Sequence, residues 1–144
     1  MAKLYTPSKK ILERYAQVLV RFALNKGRGV KKGNVVSITG GESTKPLFFA
    51  VRNEILKAGG HVLPNFVPDN DPILNFSASF FDHAEPHQLD FFPRHYYRGL
   101  VEQTDHSLFL HSDTHPHALK GVDPHKIMRR GKAMATFSMA YPLS

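Results

Sequence analysis

Gly33-Asn34-Val35-Val36-Ser37-Ile38-Thr39-Gly40-Gly41, a helical run, and then Ala58-Gly59-Gly60-His61-Val62 decide how this chain folds. Asn34 to Thr39 is rich in β-branched residues and closed by Gly40-Gly41, which reads as a short buried strand. The helix after it starts near Ser43 or Thr44, has Pro46 in its first turn, and carries Leu47, Val51 and Ile55 on one face. Ala58-Gly59-Gly60 stops that helix, and His61 to Val67 follows as a second strand. Two strands joined by one helix and short glycine turns make a βαβ unit, whose strands run parallel in nearly all compact domains. The expected class is therefore α/β: three layers, with a small parallel sheet of about three strands flanked by helices in a Rossmann-like βαβ arrangement.

On the amino-terminal side of this unit, Ile11, Tyr15, Leu19 and Phe22 recur with Leu12, Ala16, Val20 and Ala23. That spacing predicts a helix from Thr6 to about Lys26 with one buried stripe, Thr6 capping it and Pro7 at its first position. On the carboxyl-terminal side, Asn70 to Gln103 is aromatic, with Phe76, Phe80, Phe81, Phe91, Phe92, Tyr96 and Tyr97 punctuated by Pro86 and Pro93. Two or three short helices are expected there. His106 to His111 is the third strand, and Asp123-Pro124 opens a last helix to about Met134. The final stretch, Ala133 to Ser144, is apolar or small and carries no charge. Domain ends are usually exposed and polar, and a sheet of three parallel strands is thin, so residues 1–144 read as a single α/β domain of something larger.

Composition narrows the function classes. The 144 residues are 42% hydrophobic and 22% charged, the profile of a folded domain. No run approaches the roughly 20 apolar residues that cross a bilayer, and Met1-Ala2-Lys3-Leu4-Tyr5 does not lead into a signal-type apolar segment, so a cytoplasmic protein without membrane partners is expected. Zero cysteines exclude disulfides, thiolate zinc sites, iron–sulfur clusters and thiol nucleophiles. The net charge of +7 is concentrated: residues 1–32 hold nine Lys and Arg against Glu13 alone, and the rest of the chain is close to neutral. A basic first helix could grip nucleic acid, face an anionic membrane, act as a mitochondrial address or dock on an acidic partner, and a solvated face is the plainer reading. Nucleic acid is not the expected partner, because no aromatic recognition strand, zinc finger or helix-turn-helix signature accompanies the charge.

Three groups of residues could carry chemistry. Thr39-Gly40-Gly41-Glu42-Ser43-Thr44-Lys45 is a glycine-bearing strand-to-helix turn, but it matches neither phosphate-binding pattern and Glu42 would repel an anion; it reads as a plain βα turn. His111, Asp113, His115 and His117 alternate in one loop after a predicted strand, and imidazole with carboxylate suits zinc, cobalt or nickel, although Pro116 restricts His115. A small metallohydrolase would use His111, Asp113 and His115; a solvated loop is the plainer reading. Asp69, Asp71, Asp82, Glu85 and Asp90 could supply a carboxylate pair, yet Asp71-Pro72 and Glu85-Pro86 look like helix starts.

Three stretches taken together resemble the amino-terminal part of the thermophilic metalloaminopeptidases, the aminopeptidase T type of leucyl aminopeptidase. Gly29-Val30-Lys31-Lys32-Gly33-Asn34-Val35-Val36-Ser37-Ile38 is similar to the family's G-V-K-x-G-D-V-V-x-I opening. Ala58-Gly59-Gly60-His61 is similar to its A-G-A-H, and His115-Pro116-His117-Ala118-Leu119-Lys120-Gly121-Val122-Asp123-Pro124 to its N-P-x-A-L-x-G-V-D-P. The resemblance implies a homodimeric hydrolase that removes amino-terminal residues from peptides, using two divalent ions, zinc or cobalt, to activate water. It also implies that the ligands of those ions lie in a carboxyl-terminal domain absent from these 144 residues. No catalytic or metal residue is carried onto this chain, its substrate-binding residues stay unassigned, and by itself the chain is expected to bind no cofactor and to be inactive. The resemblance counts against metal in the His111–His117 loop, where the family's usual Asn is His115.

Overall fold

The computed structural model describes residues 7–111 and 115–140. They form two compact units, one of residues 7–67 with 104–111 and the other of 68–103 with 115–140. The first unit holds helix α1 (Lys9–Val18), strand β1 (Val35–Gly41), helix α2 (Lys45–Lys57), strand β2 (His61–Val67) and strand β3 (His106–Phe109). The second holds α3 (Phe76–His83), α4 (Pro86–Leu89), α5 (Arg94–Gln103) and α6 (Pro124–Ala140). The class is the expected α/β fold, with a parallel sheet of three strands and helices consistent with a three-layer arrangement.

The sheet order is β2-β1-β3, with both pairings parallel. Val35 to Gly41 pair residue by residue with His61 to Val67, and Val36 to Thr39 pair with His106 to Phe109. One face of β1, formed by Val36, Ile38 and Gly40, is buried, while the alternate residues are half-buried, as a strand with one fully covered face requires. Val36 and Ile38 pack with Phe48, Val51 and Ile55 of α2 and with Ala16 and Val20 of the first helix into one core. The start of the sheet is tied by Asp105: its backbone N–H donates to the Val35 carbonyl at 2.8 Å, and its carboxylate accepts from the Val35 N–H at 2.8 Å.

Several expectations need correction. Thr6 lies outside the described residues, and Ser8 caps α1, its hydroxyl accepting from the Ile11 N–H at 3.3 Å. The helical run continues past Val18 as a wider turn through Ala23 and stops there rather than at Lys26, because Asn25 and Lys26 adopt φ of 57° and 55° ahead of Gly27. The expected buried stripe divides. Ala16 and Val20 are fully buried, whereas Ile11, Tyr15, Val18 and Phe22 are exposed. A helix packed against one neighbour covers a narrow stripe, and the sequence pattern held two stripes side by side. Strand β1 reaches Gly41, β3 ends at Phe109 rather than His111, and α6 runs to Ala140 instead of Met134, since nothing in Ala133 to Ala140 breaks a helix. Asp71-Pro72 does not open a helix; α3 begins later, capped by Asn75, which accepts from the Ala78 N–H at 3.0 Å.

Gly29 and Gly33 separate two reasons for glycine. Both have left-handed φ, 76° and 84°, but a Cβ at Gly29 would run into the Arg21 main-chain carbonyl while one at Gly33 would meet open space. Gly33→Ala should cost about 1 kcal/mol, the left-handed penalty alone, and Gly29→Ala should cost about 3 kcal/mol or more, because a backbone clash is added. Urea unfolding of the two variants checks the difference, and equal losses would refute this reading of the turn.

Candidate functional site

In an open α/β sheet the favoured place for a ligand is beyond the carboxyl ends of the strands, where successive connections leave in opposite directions. Here the chain passes from β1 to β2 on one side and later returns to β3 on the other, so that place lies between the ends of β1 and β3. Two groups from the sequence reading open onto this edge: the Thr39–Lys45 turn, and His111 just beyond β3. The Leu110 N–H donates to the Thr39 carbonyl at 2.8 Å, which carries the pairing of β1 and β3 up to this edge.

The turn itself is packed rather than hollow. A Cβ on Gly40 would lie 2.5 Å from the Thr44 hydroxyl and 3.2 Å from the Phe48 ring, so glycine is there to let the start of α2 approach β1. Thr44 is buried, and its hydroxyl donates to the Gly41 carbonyl at 2.7 Å. Glu42 and Ser43 are exposed at the rim. This is the plain βα turn that the sequence implied, with Glu42 and Ser43 at its rim.

His111 is exposed at the end of the first unit, Asp113 lies outside the described residues, His115 is half-buried and His117 exposed. No group of three or more His, Asp or Glu side chains able to hold a metal ion exists among the described residues.

Three of the acidic residues, Asp71, Glu85 and Asp90, have structural partners. Asp71 accepts from the backbone N–H groups of Leu74 at 2.7 Å and Ile73 at 2.9 Å, and these bonds hold its carboxyl below the usual carboxylate range. Glu85 does open α4, where the Gln88 side chain accepts from the Glu85 N–H at 2.8 Å. Asp90 meets the guanidinium of Arg129 in a two-point pair, with N···O distances of 2.6 Å and 2.6 Å. The neighbouring Arg130 donates to the Phe91 carbonyl at 2.5 Å and lies over the Phe80 ring at 5.1 Å from its centroid. Sequence reading missed these arginines; the signal was an Arg-Arg pair in a helix that otherwise faces an aromatic cluster.

Arg129 holds the Asp90 carboxyl below its usual range. A carboxylate depressed in the folded state stabilises fully above its unfolded value of about 3.9, and the contribution disappears as pH falls through the lower folded value. Asp90→Asn should therefore lower the melting temperature by a constant amount above about pH 5, with the gap from wild type closing toward about pH 2. A gap that persists undiminished at the acid end would refute the assignment.

The sequence profile of the thermophilic metalloprotease family, M29, matches residues 8–142. No curated protein matches the chain. Among solved structures, wild-type AmpT from Thermus thermophilus superposes with a TM-score of 0.65 at 21% identity, a likeness of fold, over 87% of this chain and 30% of that one. The chain thus spans less than a third of the length of that protein. With the profile running over nearly every residue, the chain belongs to the thermophilic metalloprotease family M29.

Proposed function

We propose that residues 1–144 form the amino-terminal domain of a cytoplasmic, homodimeric, metal-dependent aminopeptidase that removes amino-terminal residues from peptides. The observation that carries this reading is the family match over residues 8–142, set beside a solved relative of which the chain covers only 30%. The catalytic ions, zinc or cobalt, belong in this reading to residues of a carboxyl-terminal domain, since the described residues gather no ligand cluster. The domain packs against that part and contributes the rim at the carboxyl end of its sheet, with Glu42 and Ser43, to the wall of the substrate cavity. Alone, in this reading, it is inactive.

No helix among the described residues is long and apolar enough to cross a membrane. The test is release of leucine from a leucyl-amide substrate after incubation with Co²⁺ or Zn²⁺, beside a chelated control. The 144-residue chain should be silent in every condition, and a longer protein carrying it should turn over and lose activity to the chelator. Chelator-sensitive turnover by the short chain would refute its inactivity and make the His111–His117 loop the site. Silence of the metal-loaded longer protein would refute the aminopeptidase reading.

A further inference from the structure

Ile11, Tyr15, Val18 and Phe22 form a continuous apolar seam along the exposed side of the first helix. Their spacing of four, three and four residues is that of the inner positions of a coiled-coil helix, and they are 53%, 53%, 48% and 68% exposed. The wider turn from Leu19 to Ala23, closed by the Leu24 N–H donating to the Leu19 carbonyl at 3.0 Å, keeps Phe22 in line with Val18 one turn below. The neighbouring side of the same helix is already occupied: Ala16 and Val20 are fully buried in the core, and Leu19 packs against it. An isolated exposed apolar residue needs no explanation, but four in register on one helix do.

The charges beside the seam state what kind of helix fits it. The positions that flank a coiled-coil seam decide its partner by charge, and on one side these are Arg14 and Arg21. Lys10 follows the same edge toward the amino terminus. Lys10 and Arg14 are exposed and form no ion pair with a described residue, while Arg21 is shared with Glu54, its Nε donating to Oε1 at 2.9 Å and its side chain still 41% exposed. On the other side the flanking positions are Leu12 and Leu19, both partly buried. A second copy of this helix, laid antiparallel, would set arginine against arginine; laid parallel, it would set arginine against leucine. Neither supplies a counter-charge. A helix with apolar residues along one stripe and Glu or Asp beside them supplies both the apolar area and the ion pairs.

We propose that the Ile11–Tyr15–Val18–Phe22 face is a docking surface for an acidic amphipathic helix of a partner protein. This does not depend on the aminopeptidase reading, since neither the seam nor its charges touch the end of the sheet. The probe is a labelled three-heptad peptide with Leu at the inner positions and Glu at the flanking ones, compared with the same peptide bearing Lys at the flanks. Fluorescence anisotropy should show the acidic peptide binding at least about tenfold more tightly than the basic one, with the advantage shrinking between about 0.05 M and about 0.5 M salt. Phe22→Ser should weaken binding at least about tenfold, and Arg14→Glu should reverse the preference between the peptides. Both side chains are exposed, so circular dichroism should show the fold retained. Absence of binding, equal binding of the two peptides, or indifference to both variants would overturn the proposal. So would a dimer in sedimentation that Phe22→Ser dissolves, because the occupant would then be a second copy of this chain.

Discussion

The two-sided pairing of β1 is the constraint on which the first unit depends. A strand between two parallel neighbours has its main-chain groups committed on both edges, so its register fixes where β2 and β3 lie. The ends of that strand are secured by different means. At its start the backbone and carboxylate of Asp105 grip Val35, and the His61 N–H reaches the Asn34 carbonyl at 2.7 Å, so both neighbours begin level. At its end the absence of a side chain at Gly40 admits Thr44 and Phe48, which brings α2 down on the sheet. One buried face then suffices for a core, because Val36 and Ile38 meet α2, and α2 in turn carries the first helix.

The motifs that identify the family are largely devices of main-chain geometry. Gly33 donates to the Gly59 carbonyl at 2.9 Å, and the Asn34 side chain accepts from the Lys31 N–H at 2.7 Å, so two of the family-like stretches meet at one corner of the sheet. In the third, Gly121 turns the chain at φ of 89°, Val122 packs on Phe81, Ala84 and Leu89, and Asp123 accepts from the His125 N–H at 2.9 Å to start α6. Such positions are demanding, since few residue types satisfy a left-handed φ or a helix cap. Surface positions between them are free to drift, which agrees with a fold shared at 21% identity.

This explains what could be read in advance. The βαβ unit, the sheet class and β2 from His61 to Val67 were legible because glycine turns and β-branched runs act locally. The division of the first helix into a buried and an exposed stripe was not, because periodicity shows that a residue is apolar and faces one way without showing whether anything lies opposite. Nor was the extent of α6, whose uncharged end resembles buried sequence wherever it is placed. The candidate site was half legible. The Thr39–Lys45 turn stands where expected, at the end of the sheet, whereas the loop of His111, Asp113, His115 and His117 falls partly outside the described residues.

Electrostatics shows the same separation between what is locally committed and what is left over. Several acidic groups serve nearby structure: Glu54 holds Arg21, Asp90 holds Arg129, Asp71 and Asp123 bind backbone N–H groups, and Asp105 binds the start of β1. Lys9 has Glu13 at 3.8 Å, a pair so exposed that water weakens it. The cations Lys10 and Arg14 have no such counterpart among the described residues, and Lys26, Arg28, Lys31 and Lys32 follow on the turn into β1. A protein whose acids are spent on its own scaffold presents its surplus positive charge outward, and here that surplus is gathered on the helix that also exposes its apolar seam. Charge sets the approach and the choice of partner over about 8 Å of physiological screening, and the seam supplies the area that holds it.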